Sequence, residues 1–392
     1  MNSSARRAGA PRLLITMPWG IGDTIAIGLS AVDQVRRNDS QGGAIIDILC
    51  NPMQAPIFAH DPRIHKLIVA DKNLFPTAAP GTWKRGLFLP SKAAALARQL
   101  HRCGYTAVLP FLFSPGFFYL LHAPVLFLNM QETWDVMTAL RTFGDVPIQS
   151  VVRRAINKGF ADKTKPRVDE PIPLYLSPEH LQRARQDAAR VMRQAGGQPD
   201  SSPWMLVAPD TSSHVTRPPT GLLADALAGA LRIRSDLFAM ILPGYTDMQA
   251  ARNLWRALAP SFPDRVTLLP AEPRMALLEL AAFIDQSDIF LTGDTSTMHL
   301  AATRKMLPYA AHSDLLPRNT VKIIALFGGT HPGFHGYSRR TTIIGRGRME
   351  QTAFAPGIAK EIYHPDGRDF FDHISSGQIT EAILHQRSFA HE

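Results

Sequence analysis

Apolar residues fall along this chain in short runs separated by stretches of helical period. In the first part the runs are Arg12–Pro18, Ala44–Cys50, Lys66–Ala70, Ala107–Phe113 and Pro124–Asn129. Between them, Ile21–Arg37 and Ser91–Arg102 have the spacing of amphipathic helices. Near-continuous apolar runs suit strands covered on both faces, so the alternation predicts a parallel α/β sheet. From Lys163 the text turns proline-rich and charged, and Ser177 is placed to cap a polar helix, Pro178–Gly197, that glycine closes. After the reset QPDSSP the same grammar resumes. The runs Trp204–Pro209, Leu237–Gly244, Val266–Pro270 and Asp288–Asp294 alternate with the helical stretches Thr220–Ser235, Thr246–Ala259 and Arg274–Gln286.

The boundary is therefore expected within Arg167–Pro203. It separates an N-terminal Rossmann-like domain, 1–170, from a linker with the polar helix, 171–203, and a C-terminal Rossmann-like domain, 204–392. The length, 392 residues with 45% hydrophobic content, also suits two cores better than one. Ligands in such folds sit at the carboxyl ends of strands, which makes a cleft between the halves the default site.

Composition narrows the partners less than the pattern narrows the fold. A net charge of +9 suits an anionic membrane face, nucleic acid or a phosphorylated small molecule alike. The two cysteines, Cys50 and Cys103, form no CxxC or Cys/His ladder, which argues against a disulfide framework or structural zinc and for a reducing cytoplasm. The basic start of the chain reads as no signal peptide, because Gly20, Gly22 and Asp23 break the apolar run behind it. The stretch Val108–Met130 is long enough to span a bilayer but carries Pro110, Pro115, Gly116, His122 and Pro124, so buried strands flanking a short helix are expected there. Its Phe117, Phe118 and Tyr119, with Lys84 and Arg85, would suit peripheral contact with an anionic membrane.

Four stretches carry candidate chemistry. The turn Gly20-Ile-Gly22-Asp23 resembles a dinucleotide fingerprint but lacks its third glycine, and it presents Asp23 in a first helical turn, where the dipole favours a carboxylate. The second, Ala208–Pro219 (APDTSSHVTRPP), is a strand-to-helix loop with Thr211, Ser212, Ser213 and Arg217 within reach of a phosphate. The third, Leu291–Ala302 (LTGDTSTMHLAA), sets Asp294, Thr295, Ser296 and Thr297 at a helix start, either as an anion site or as a plain cap by Asp294 or Thr295, with His299 behind. The fourth follows the strand Val321–Phe327. There Gly328, Gly329 and Thr330 let backbone approach a ligand, and two histidines, His331 and His335, make a poor metal site without a carboxylate. No P-loop and no GxSxG elbow occurs.

In this order, Gly22-Asp23, TSSHVTRPP, DTSTMHLAA and FGGTHP resemble the motifs of the bacterial heptosyltransferases of glycosyltransferase family nine, most clearly from Trp204 to Pro332. The resemblance implies a GT-B architecture, two Rossmann-like domains with a cleft between them, and inverting transfer of a heptose or related sugar from an ADP-sugar to a lipopolysaccharide-core or other glycan acceptor. It implies Asp23 as general base, with Gly20 and Gly22 beside it. Thr211, Ser212, Asp294, Thr295, Ser296, Thr297 and His299 would contact the donor, Met275 would lie near adenine, and Gly328, Gly329 and Thr330 near the sugar or acceptor. The family's lysine aligns with Thr216, which leaves Arg217 as the cation for the leaving diphosphate. The expected partners are a nucleotide-diphosphate sugar and a glycolipid or glycan, with no cofactor, no metal and no nucleic acid. Two other readings stay open: a sugar-nucleotide-binding relative with weak or lost turnover, and an NAD-dependent nucleotide-sugar-modifying enzyme.

Overall fold

The computed structural model describes residues 11–17, 20–39, 42–71, 91–110, 120–122, 171–199, 201–211, 213, 215–244, 248–330, 332–335, 337, 341–345 and 370–385. The chain divides into two compact units; Ile172–Tyr175 joins the first, and everything from Leu176 onward belongs to the second.

The first unit opens with β1 (Arg12–Thr16) and a helical segment, α1, built as a turn Ile21–Asp23, a wider π-helical stretch Thr24–Leu29 and a regular stretch Ser30–Asn38. It continues through β2 (Ile45–Cys50), α2 (Ala55–Phe58), β3 (Lys66–Val69), α3 (Ser91–His101), β4 (Ala107–Pro110) and β5 (Pro173–Tyr175). The first four strands form one parallel sheet in the order β3-β2-β1-β4. The π-helical widening fits the packing, because a side chain on Gly28 would run into Met17 and Phe58, so only glycine lets α1 lie this close to the end of β1.

At the amino end of this sheet, the fully buried carboxylate of Asp47 accepts hydrogen bonds from Arg12 (Nη2, 2.7 Å) and the Tyr105 hydroxyl (2.8 Å), and lies 2.9 Å from Nδ1 of His65. A buried carboxylate needs such partners. Burial and the neighbouring Asp47 raise the Tyr105 phenol far above its usual range.

The second unit holds α4 (Pro178–Gln194), β6 (Trp204–Ala208), α5 (Thr220–Ile233), β7 (Phe238–Ile241), α6 (Gln249–Leu258), β8 (Val266–Leu268), α7 (Leu277–Ile284), β9 (Ile289–Gly293), α8 (Ser296–Ala302), β10 (Arg304–Met306), β11 (Lys322–Leu326), α9 (Pro332–His335), β12 (Thr341–Ile344) and α10 (Ser376–Leu384). The polar helix read in the linker, α4, buries one face, Leu181, Ala184, Ala188, Val191 and Met192, and packs against α7. Six strands form a parallel sheet in the order β12-β11-β9-β6-β7-β8. Every residue of β6 is buried, as the continuous apolar run WMLVA requires of a central parallel strand. Helices α5, α6 and α10 cover one face over a core that includes Leu223, Leu227, Leu254, Leu291, Leu326 and Ile379.

Strand order places the site. The chain runs outward from β6 to β8 and then crosses back to β9 on the other side of β6. The carboxyl ends of β6 and β9 therefore flank a topological switch point, where open α/β sheets hold their ligands. Register makes the ends level: Ala208 pairs with Thr292, and Thr292 with Ala325.

Candidate active site

Because β6, β9 and β11 end at one level, the loops 209–219, 294–295 and 328–330 leave the sheet side by side. Three contacts join them. Where Gly293 has no side chain, the backbone oxygen of Thr216 presses in, with Pro218 Cδ and Thr211 Cγ2 just 3.2 and 3.3 Å from where a Cβ would stand. The Gly329 amide donates to the Val215 carbonyl at 3.0 Å. Gly329 also leaves room for the Val215 side chain, and Gly328 for the Phe371 ring. At these two glycines the groups that approach the backbone belong to the protein itself. The side-chain hydroxyl of Thr330, beside them, is buried with no hydrogen-bond partner among the described residues.

The loop after β6 is knitted to itself. Thr211 Oγ1 donates to the Ser213 carbonyl at 2.5 Å, and Thr216 Oγ1 donates to Thr211 Oγ1 at 3.0 Å. Arg217 turns inward too: its Nη2 donates to the Thr211 carbonyl at 2.7 Å and lies 3.0 Å from Asp210 Oδ1, with about a third of the side chain, 34%, exposed. Arg217 is thus a clamp on its own loop, balanced by a carboxylate and only partly exposed. Asp210 and Val215, which fix this geometry, carry no signal in the local sequence beyond lying in the loop. Ser212, His214 and His331 lie outside the described residues, as do Lys84, Arg85 and Phe117–Tyr119.

At the head of α8, Thr295 is the capping residue in extended conformation, yet its side chain makes no capping hydrogen bond. Ser296 and Thr297 follow, half-buried, at the first two helical positions, where a backbone N–H has no intrahelical acceptor, whereas the Met298 amide donates to the Thr295 carbonyl at 3.0 Å. His299 is buried, with Nδ1 2.6 Å from the Tyr337 hydroxyl and Nε2 4.0 Å from Asp294 Oδ1. The second distance is too long for a direct hydrogen bond, but both atoms can reach one oxygen between them. A nitrogen beside a carboxylate suits a hydroxyl, which both accepts and donates. Met275 is half-buried ahead of α7, in the segment that follows β8, the strand two places from β6.

In the first unit, Gly20, Gly22 and Asp23 stand at the carboxyl end of β1. Asp23 is exposed, and its Oδ2 lies only 2.9 Å from where a Gly20 Cβ would be, so glycine is what lets this carboxylate fold back over the turn. The turn is fastened from below: Thr24 Oγ1 donates to the Gly20 carbonyl at 2.7 Å and accepts from Gln54 Nε2 at 3.0 Å, while Gln54 Oε1 accepts the Asn51 amide at 2.9 Å. Asn51 and Gln54, about thirty residues downstream, fasten this turn without any local motif to announce them.

Among the described residues no group of three or more His, Cys, Asp or Glu side chains lies where it could hold a metal ion. Among the same residues no helix is long and apolar enough to cross a membrane.

No family model and no curated sequence matches the chain. Solved structures do. ADP-heptose LPS heptosyltransferase II of E. coli superposes with a TM-score of 0.59 at 16% identity, covering 95% of this chain and 97% of that one. A glycosyl transferase family 9 protein from Veillonella parvula gives 0.62 at 16% identity, covering 95% and 96%. E. coli heptosyltransferase WaaC with ADP gives 0.54 at 14%, covering 95% and 98%. The fold is GT-B. In structure the chain is similar to heptosyltransferases and family 9 glycosyltransferases over nearly its whole length.

Proposed function

We propose that this protein is an inverting glycosyltransferase that moves a heptose or related sugar from an ADP-sugar to a lipopolysaccharide-core or other glycan acceptor without a metal ion. What supports the reading is that the segments carrying Arg217, then Asp294, Thr297 and His299, then Thr330, follow the carboxyl ends of three adjacent strands, in a fold shared with an E. coli heptosyltransferase solved with ADP. In this reading the second unit binds the donor through Thr211, Ser212, Arg217, Met275, Asp294, Thr295, Ser296, Thr297 and His299. Asp23 of the first unit takes the proton from the acceptor hydroxyl as its oxygen attacks the anomeric carbon, and ADP leaves with the glycosidic electron pair. Arg217 and the α8 amides meet the charge that develops on the diphosphate, the role a metal fills elsewhere. The free, widely separated cysteines favour a cytoplasmic site of action, with a glycolipid acceptor reached by peripheral contact with the anionic inner membrane face.

Calorimetric titration with ADP, GDP and UDP, followed by turnover of ADP-heptose, tests this. ADP preference and ADP release in the presence of a core-glycan acceptor are expected; binding of none of the three nucleotides would remove the reading. A second reading has one specific support. Arg217 is already balanced by Asp210, and Thr216 stands where the resemblance expects lysine, which suits a binding protein of weak turnover. That protein would bind ADP-heptose and release no ADP from it.

A further inference from the structure

Tyr337 belongs to none of the expected site residues, yet its hydroxyl stands 2.6 Å from Nδ1 of His299, 38 positions away in sequence. The two rings meet edge to face, 5.6 Å between centroids and 78° between planes. The phenol is 5% exposed, and its backbone carbonyl accepts the Thr341 amide of β12 at 2.8 Å, so the sheet anchors it. On the far side of the imidazole, Nε2 faces Asp294 at 4.0 Å. A carboxylate offers only acceptors, which favours the ring proton on Nε2; Nδ1 then carries the lone pair into which the Tyr337 O–H donates.

We propose that Tyr337 is a positioning residue: its hydroxyl holds His299 as the Nε2–H tautomer, with that N–H beside the Asp294 carboxylate as a donor–acceptor pair for a hydroxyl of the nucleotide-bound sugar. The ligand in this proposal rests on the donor-binding reading above; the tautomer does not. A phosphate oxygen, which only accepts, would suit the imidazole but be repelled by Asp294, whereas a sugar hydroxyl satisfies both. The role is invisible to mutation of His299 itself, because removing the imidazole erases the donor and its orientation together.

Two-bond proton–nitrogen correlation spectra of histidine-labelled protein test the tautomer, with His299 assigned by its loss in His299→Gln. The expected wild-type result is a protonated Nε2 and an unprotonated Nδ1 whose signal carries the shift of an accepted hydrogen bond. Tyr337→Phe keeps the ring and removes only the hydroxyl; the Nδ1 signal should move toward that of a free lone pair. Affinity for ADP-heptose should fall about tenfold in this variant and affinity for ADP less than about threefold, as for loss of one hydrogen bond on the sugar side. His299 protonated at Nδ1 in the wild type overturns the proposal, and so does an unchanged Nδ1 signal or unchanged ADP-heptose affinity in Tyr337→Phe. The wild-type spectrum decides even if the variant does not fold. Wild-type protein that binds neither ADP nor ADP-heptose would instead overturn the donor reading, with the tautomer still decided by the spectrum.

Discussion

At the scale of single residues, two carboxylates show how environment divides labour. Asp23 is exposed at the head of α1 and folded over a glycine, whereas Asp47 is fully buried beside Arg12, His65 and Tyr105. Asp23→Asn is therefore expected to leave ADP affinity within about twofold while lowering turnover by roughly 10²–10⁴-fold, the usual span for a general base. Full turnover in that variant, measured with the true acceptor, would take the base role away from Asp23. The Asp47 cluster makes an alkaline prediction. An unfolded phenol ionises near its ordinary value of 10.0, while the folded Tyr105 keeps its proton to higher pH because of burial and the adjacent Asp47. Above that value the folded state binds more protons than the unfolded one, so this stabilisation is complete below about pH 10 and is lost as pH rises past it. Urea midpoints measured from pH 8 to pH 11 should fall at the upper end, and Tyr105→Phe should flatten the fall.

At the scale of elements, the joint between β9 and the loop after β6 is the most sensitive feature of the second unit. A methyl group on Gly293 would meet the Thr216 backbone oxygen, the Pro218 ring and Thr211, and neither a backbone oxygen nor a proline ring can swing aside. Gly293→Ala should cost about 1–3 kcal/mol by urea unfolding, in the range of other overpacked sites, and weaken ADP binding as the loop shifts. Gly221→Ala is the control, since a Cβ there meets nothing within 4 Å; in the first turn of α5 it should be neutral or slightly stabilising. The helical period of Ile21–Arg37 was legible in the sequence, but the wide turn Thr24–Leu29 was not. Met17 and Phe58, distant in sequence from each other, close on Gly28 within that turn. The buried ion pair of Lys305 with Asp285, 2.7 Å apart and fully enclosed, was equally unreadable, because a lysine in β10 gives no local sign of the partner that makes its burial tolerable.

At the scale of the whole molecule, each unit has its own parallel sheet and its own core, and the donor-binding residues proposed here all belong to the second. Such a chain should unfold in two calorimetric transitions. A ligand that binds one folded unit stabilises that unit by mass action, about 2.7 kcal/mol at a hundredfold excess over Kd. ADP should raise one transition and leave the other in place, and Gly293→Ala should lower the same one that ADP raises. If ADP raises both together, the units unfold as one.

The sequence by itself determined the alternation of strands and helices, the parallel sheets and the chemistry available in each loop, because all three depend on local periodicity and on residue type. β6, β7 and β9 lie inside the apolar runs that predict them, and the helix behind Gly293-Asp294 starts where its hydroxyl-rich turn says. Only the tertiary structure decided which loops meet and which way their side chains face. Strand order brought the ends of β6, β9 and β11 together at the switch point. Packing then spent the Thr211 hydroxyl inside its own loop, set Asp210 on Arg217 and laid Tyr337 on His299. These pairings join positions up to 38 residues apart. Their energies come from desolvated partners that chain-local propensity does not encode, so the residues that hold the site in shape emerge only once the sheet is assembled.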